Sequence, residues 1–237
     1  MQVVILAGGL GTRLRGAVPN IPKALVPLAG KPFIEHQFDL LRPHGLLDVL
    51  LCVGHRAEQI EKHLGDGTRF GFRVRYSRED PARLLGTGGA LVNAIPVLEE
   101  EFLLLYGDSY LPTDYRAVCE AFRRCGTAAM MSVFRNKGKW DDSNTRIADG
   151  KVVFYSKSAG KGEADYIDYG LSAFRRDVIS RYRGSASPLD LARIQTDLVA
   201  GGELAAFEVA GRFYEIGKPD GLAELDRVLC ASGREQQ

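Results

Sequence analysis

Hydrophobic positions along this chain fall into short blocks that switch between strand and helix spacing. Val3, Val4, Ile5, Leu6 and Ala7 form an unbroken apolar run, the mark of a strand covered on both faces. Gly8, Gly9 and Gly11 follow at once, and a stretch with Pro19, Pro22 and Pro27 leads to Gly30–Lys31–Pro32. From there Phe33, Ile34, Gln37, Phe38, Leu40 and Leu41 recur at helical spacing, with Pro32 placed for the first turn. Pro43, His44 and Gly45 end that helix. Leu46 to Val53 reads as a second buried strand, His55 to Leu64 as a helix stopped by Gly65–Asp66–Gly67, and Phe72 to Tyr76 as an alternating strand. Gly86–Thr87–Gly88–Gly89 then opens a helix running from Ala90 to Ile95. Phe102 to Tyr106 is another apolar strand ending in Gly107–Asp108, residues 113–125 are helical, and Ala128 to Phe134 is a strand.

This alternation implies right-handed βαβ crossovers and a mostly parallel sheet. From Lys137 the pattern changes. Ile147 to Val152 predicts a hairpin turning at Asp149–Gly150, and Tyr166 to Phe174 a further strand. Pro188 to Val199 is amphipathic, Leu204 to Val209 and Phe213 to Ile216 are short strands, and Pro219 to Leu229 is a closing helix. The expected fold class is α/β: a Rossmann-like, mostly parallel mixed sheet flanked by helices. With no internal repeat and no low-complexity linker, residues 1–237 read as a single domain, with a core over 1–135 and an elaboration of the same sheet over 136–237.

Composition narrows the function. The 237 residues carry a formal net charge of +1, with 45% hydrophobic and 26% charged positions. That balance offers no broad field for nucleic acid or a membrane surface, so any important cation acts locally. No apolar run reaches transmembrane length. Residues 1–7 lack a basic n-region and lead into glycines, not a cleavage site. Cys52, Cys119, Cys125 and Cys230 show neither a CxxC nor a metal spacing, which fits reduced thiols in a cytoplasmic protein. The 27 glycines are the anomaly, and they concentrate near the N-terminus.

Gly8–Gly9–Leu10–Gly11–Thr12–Arg13 directly follows the first strand. In an α/β sheet, ligands bind beyond the carboxyl ends of strands. Glycines there let backbone N–H groups form an anion nest, and Arg13 adds a planar fork suited to phosphate oxygens. A dinucleotide fingerprint is disfavoured because Leu14 stands where a third Gly is needed, and a Walker A loop fails at Gly16–Ala17. A tight turn using Gly for its backbone freedom is the bland alternative; it leaves Thr12 and Arg13 unexplained.

The run Leu6–Ala7–Gly8–Gly9–Leu10–Gly11–Thr12–Arg13–Leu14, then Pro22–Lys23, then Pro27–Leu28–Ala29–Gly30–Lys31–Pro32, resembles the signature of the sugar-1-phosphate nucleotidylyltransferases. Within that family the chain looks most like the short bacterial branch of heptose-1-phosphate guanylyltransferases and muramic-acid-phosphate uridylyltransferases. The resemblance implies the nucleotide-diphospho-sugar transferase type of fold, in which the second half is a small sugar-binding elaboration. It also implies transfer of a nucleotidyl group from a nucleoside triphosphate to a sugar 1-phosphate, with release of pyrophosphate and with Mg²⁺. Such chemistry needs placed cations and a metal rather than a nucleophilic triad, because a phosphate ester is already largely ionised at neutral pH.

Roles follow from the resemblance residue by residue. Arg13 takes the β- and γ-phosphates, Lys23 reaches the α-phosphate, and Asp108, at the exit of an apolar strand, ligates the metal. Leu6, Ala7, Gly8, Gly9, Gly11, Thr12, Gly86, Thr87 and Gly88 face the nucleotide, and the segment from Ser77 to Leu85 holds base specificity. Glu215, in Tyr214–Glu215–Ile216–Gly217, stands where the family usually has the second metal-binding Asp; a structural pairing with a nearby Arg is the alternative. Lys157 matches a lysine that grips the sugar phosphate, although Ser156 stands where a Glu is common. Tyr110, Asn144, Asp168 and Gly170 fall on the sugar side. Overall resemblance leans towards GTP and a heptose-type 1-phosphate. Uridylyl or cytidylyl transfer to another sugar, a cyclitol, choline phosphate or a phosphonate stays open. So do a non-catalytic nucleotide-sugar sensor and, more distantly, an NAD-dependent oxidoreductase.

Other features have plain readings. His36, His44, His55 and His63 lack a ligand spacing and suit surface or helix-end positions. Glu99–Glu100–Glu101, Arg123–Arg124 and Arg175–Arg176 read as solvated charges. Trp140, in a polar loop, is equally a lid anchor and half-buried packing.

Overall fold

The computed structural model describes residues 1–11, 14, 18 and 20–234. In chain order its elements are β1 (Gln2–Leu6), a hairpin of β2 (Pro27–Leu28) and β3 (Lys31–Pro32), α1 (Phe33–Leu41), β4 (Asp48–Val53), α2 (Ala57–Leu64), β5 (Arg73–Arg78), α3 (Gly86–Ala94) and β6 (Glu101–Tyr106). Then come β7 (Ser109–Tyr110), α4 (Tyr115–Cys125), β8 (Ala129–Arg135), β9 (Thr145–Ala148), β10 (Lys151–Tyr155), β11 (Tyr166–Arg175), α5 (Arg176–Ser180), α6 (Leu191–Ala200), β12 (Leu204–Val209), β13 (Tyr214–Glu215) and α7 (Pro219–Arg234).

Among the described residues the main sheet has nine strands in the order β5-β4-β1-β6-β11-β8-β12-β10-β9. β5, β4, β1 and β6 are parallel neighbours, and β12 is parallel to β8. β11 runs antiparallel between β6 and β8, and β10 is antiparallel to both β12 and β9. The antiparallel part lies in the second half, where the helical blocks thin out.

The apolar runs are continuous because both sheet faces are covered. Val3 and Ile5 of β1 and Leu103 and Leu105 of β6 pack with Ile34, Phe38 and Leu41 of α1, Ile60 of α2 and Phe122 of α4. Their alternates Val4, Phe102 and Leu104 pack on the other face with Leu91 of α3 and Ile194 and Leu198 of α6. Burying a side chain of this size contributes roughly 1.5–3 kcal/mol before ordering costs.

Three departures from the expected elements have simple causes. β2, β3 and β7 are two-residue strands, too short for any period to register. Pro32 takes the N-cap position of α1 rather than its first turn. The Gly86–Gly89 run lies inside α3 instead of ahead of it. The turn at Asp149–Gly150 forms as expected, with φ of 49° and 71° at its two residues, the left-handed pair that tight hairpins require.

The parallel arrangement places the carboxyl ends of β1, β4, β5 and β6 on one edge. Beyond them stand Ala7–Gly9, Gly54, Glu79 and Gly107–Asp108. A small third cluster of Val26, Leu28, Phe33, Ile216 and Leu225 ties the β2–β3 hairpin, β13 and α7 together beside this edge. His36 is also buried, with its Nε2 2.8 Å from the Leu28 carbonyl oxygen, so it is a core residue, not the surface histidine expected from sequence. No helix among the described residues is long and apolar enough to cross a membrane.

Candidate functional site

A cavity of about 240 Å³, open to solvent on one side, lies over the sheet's carboxyl edge. Leu6, Ala7, Gly8 and Gly9 form its floor, Lys23, Tyr106 and Asp108 one wall, and Glu79, Gly86 and Thr87 the other. Thr12 and Arg13, expected to hold nucleotide and phosphate, lie outside the described residues. Gly11 turns with φ of +61°. Gly9 has open space where a Cβ would sit, whereas a Cβ on Gly8 would lie 2.5 Å from Glu79 Oε1. The glycine at position 8 therefore admits a protein carboxylate as well as any ligand.

Lys23 and Asp108 meet at the cavity wall, with Nζ 2.7 Å from Oδ2 and with side chains 19% and 25% exposed. Gly107 makes the meeting possible. Its N–H donates to Leu6 O at 3.0 Å, and a Cβ on it would lie 2.5 Å from that same oxygen. At Gly107 the missing Cβ serves the approach of β6 to β1. Glu215 joins from the far end of the chain: β13 pairs antiparallel with β7 in the register Glu215–Ser109. The Ile216 N–H donates to Asp108 O at 2.9 Å. Glu215 is exposed, and α7 presses on its backbone through Gly221. No three His, Cys, Asp or Glu side chains cluster as a metal cage among the described residues. Asp108, in the turn between β6 and β7, lines the main cavity, whereas Glu215 lines a neighbouring one with Trp140, Arg212 and Lys218; Asp108 is of the type that suits a hard cation completing its shell with phosphate and water oxygens.

Glu79 is the residue that sequence reasoning located only as part of a segment. It follows β5 directly, its N–H donating to Val53 O at 2.9 Å. Its Oε2 accepts the Leu85 N–H at 2.9 Å. No hydrogen bond among the described residues reaches Oε1. A Cβ on Gly54 would also lie 2.8 Å from Oε1, so two glycines make room for this carboxylate. Leu10 and Leu84, 37% and 40% exposed, also line the cavity and give it apolar surface suited to a flat ring. Cys52 lines the cavity but is buried, and that burial pushes its thiol up to about 12, which disfavours the reactive thiolate.

Gly86, Thr87 and Gly88 take up more protein than ligand. Leu189 O accepts from the Gly88 and Gly89 N–H groups at 2.9 and 3.1 Å, and Leu189 N–H donates to Leu85 O at 2.8 Å. The Thr87 hydroxyl donates to Asp190 Oδ1 at 3.2 Å and accepts the Leu191 N–H at 2.8 Å. Gly86 and Thr87 still line the cavity; Gly88 does not. Gly86 has φ of +78°, and a Cβ on it would lie 2.5 Å from Leu189 O. Gly86→Ala is expected to lower stability by about 3 kcal/mol through combined left-handed strain and overpacking. That corresponds to a fall of roughly 6–12 °C in Tm by thermal denaturation. An unchanged Tm would mean residues 188–190 are not pinned against α3.

The residues expected on the sugar side do not line this cavity and fall into two groups. Lys157 Nζ contacts Asp190 Oδ1 and Oδ2 at 2.7 and 2.8 Å. Burial pushes the Asp190 carboxyl up, but the Lys157 ammonium and the Ala192 N–H outweigh it and hold the group below its ordinary value. Asp168 accepts the Gly170 N–H at 3.0 Å and lies 3.4 Å from Gln195 Nε2; burial raises its carboxyl despite these donors. Buried Gln195 Oε1 has no partner. Burial also lifts the Tyr106 hydroxyl well above its ordinary value, reinforced by Asp168. By contrast, Asn144 is a structural joint, its Oδ1 accepting the Asp168 N–H at 2.8 Å and the Thr145 hydroxyl at 2.9 Å. Tyr110 packs on the third cluster with its ring 6.3 Å from that of Tyr214. Trp140 stacks on the Arg212 guanidinium at 3.5 Å, and Arg212 forms a two-bond pair with Glu224.

Residues 2–144 match the family described as Nucleotidyl transferase. D-glycero-alpha-D-manno-heptose 1-phosphate guanylyltransferase of Campylobacter jejuni is 38% identical over 114 residues, 48% of this chain and 50% of that protein. The enzyme of the same name from Aneurinibacillus thermoaerophilus is 37% identical over 173 residues, 70% of this chain and 74% of that protein. The chain spans about half the length of the first curated relatives it matches. The crystal structure of HddC from Yersinia pseudotuberculosis complexed with GMP-PN superposes with a TM-score of 0.76 at 26% identity, covering 98% of each chain.

Proposed function

The chain belongs to the nucleotidyl transferase family, and from that premise we propose that it transfers a guanylyl group from GTP to a heptose-type sugar 1-phosphate. An oxygen of the acceptor phosphate attacks the α-phosphorus, the α–β phosphoanhydride bond breaks, and pyrophosphate leaves with the electron pair. The acceptor oxygen is already ionised at neutral pH, so the residues position two anions and neutralise charge instead of moving a proton. The Lys23–Asp108 pair at the cavity wall is the observation that carries this reading. Lys23 places an ammonium beside the reacting phosphates, and Asp108 orients it. Asp108 and Glu215 would hold Mg²⁺, which when bound supplies positive charge to the phosphate oxygens. Arg13, which lies outside the described residues, is the cation this reading assigns to the departing pyrophosphate.

Guanine is favoured over other bases by Glu79. A carboxylate only accepts hydrogen bonds. Guanine presents two adjacent donors, N1–H and the 2-amino group, on its pairing edge. Uracil and thymine flank one N–H with two carbonyls, while cytosine and adenine set an acceptor nitrogen beside their amino group. The guanylyltransferase names of two similar relatives point the same way. Lys157, Asp168 and Gly170 then face the acceptor, and the reaction belongs in the cytoplasm.

Pyrophosphate release from a panel of GTP, UTP, CTP, dTTP and ATP against heptose, mannose, glucose and muramic-acid 1-phosphates tests the proposal. GTP with a manno-configured acceptor should be fastest. A faster uridylyl or cytidylyl transfer, including one to a cyclitol, choline phosphate or phosphonate, would replace the donor and acceptor named here. A protein that binds nucleotide sugar yet releases no pyrophosphate from any pairing would be a sensor.

A further inference from the structure

Asp190 is where three parts of the site converge. It caps α6, its Oδ1 accepting the Ala192 N–H at 2.9 Å. The Thr87 hydroxyl, from the nucleotide wall of the cavity, donates to the same oxygen at 3.2 Å. Lys157, from the loop after β10, spans both oxygens at 2.7 and 2.8 Å. Backbone bonds between residues 85–89 and Leu189 stitch the segment before Asp190 to the start of α3. One carboxylate therefore joins the nucleotide wall to the lysine that follows β10.

We propose that Asp190 is a positioning residue for the acceptor phosphate, acting by holding the Lys157 ammonium at a fixed distance from the nucleotide wall. The inference rests on the reading of Lys157 as the acceptor-phosphate cation. An ammonium has three N–H donors. The two Asp190 oxygens take two of them, and the third is left for a phosphate oxygen. Asp190 need not be displaced when the acceptor binds. A lysine stem otherwise samples many rotamers and loses them on binding; in this chain the ordering occurs on folding, so more of the ion-pair energy appears as affinity.

Asp190→Asn isolates this role. Asn still caps the helix and still accepts from Thr87, but it cannot grip the ammonium with two charged oxygens. Calorimetric titration with α-D-mannose 1-phosphate as the probe is expected to show about tenfold weaker binding in Asp190→Asn, equivalent to about 1.4 kcal/mol. GTP affinity should stay within about twofold, and in a Lys157→Ala background the same substitution should have less than a twofold effect, because the two residues act as a unit. Equal weakening in both backgrounds would make Asp190 a helix cap only, and undiminished probe binding in Asp190→Asn would also overturn the proposal. Wild-type protein that binds no probe while Lys157→Ala is equally silent would remove the acceptor reading itself, and this role with it.

Discussion

Asp108→Asn is expected to cut kcat by about 10²–10³-fold or more while leaving the fold intact. The substitution keeps size and shape, so the Gly107 turn and the Asp108 carbonyl that accepts the Ile216 N–H at 2.9 Å are undisturbed. What disappears is one negative charge, 2.7 Å from the Lys23 ammonium. Lys23 is then no longer held against the cavity wall, and the proposed divalent cation would lose a charged ligand. The pair is partly solvated, so its own contribution to folding is at most about 1 kcal/mol, and Tm should move by no more than roughly 4 °C. Turnover and thermal denaturation measured side by side give the answer. A near-normal kcat with an unaltered response to Mg²⁺ would place the metal and the chemistry elsewhere.

The core of this site was legible because buried parallel strands write themselves as unbroken apolar runs. Val3 to Ala7 and Phe102 to Tyr106 each announce a strand, and whatever follows such a strand lies at the carboxyl edge of the sheet. That reasoning locates Gly8–Gly11 and Asp108 without any contact being known. The Lys23–Asp108 contact, across 85 positions, and the approach of Glu215 to the same edge depend on chain reversals carried by two-residue strands. Here the family pattern of Pro22–Lys23 and Tyr214–Glu215–Ile216–Gly217 supplied what periodicity could not.

Glycine was the less reliable guide, for a physical reason. A missing Cβ permits close approach without saying by what. Gly107 admits the carbonyl of Leu6, Gly86 that of Leu189, and Gly8 the carboxylate of Glu79; only Gly9, of the glycines lining the cavity floor, opens on free space. Asp190 was illegible for a different reason. It reads as an N-cap before an amphipathic helix, and nothing local reveals a hydroxyl partner 103 positions away. Trp140 packs as the half-buried reading expects, with one face on Arg212 and the residue still 43% exposed.

Glu79→Gln should reverse the order of bases rather than abolish activity. The Leu85 N–H, now held by Oε2 at 2.9 Å, can be accepted equally by the carbonyl of a glutamine. That choice turns the new amino group towards the position of Oε1, where Gly8 and Gly54 leave room. A donor there faces the N1–H and 2-amino donors of guanine, so GTP loses a charge-assisted acceptor and gains a donor–donor conflict. A pyrimidine carbonyl meets the same amino group as an acceptor. The ratio of kcat/KM for GTP to that for UTP should therefore fall by about 10²–10³-fold, roughly 3–4 kcal/mol, the scale of one charged hydrogen bond exchanged for a mismatch. Competition assays with both nucleotides present read this ratio directly, free of differences in active fraction. With Glu79 proposed to border the base and not the phosphates, kcat with the preferred nucleotide should stay within about tenfold of wild type, whereas Asp108→Asn loses turnover with every base. A Gln variant that keeps the wild-type ranking of nucleotides would move base recognition to another residue of the 77–85 segment.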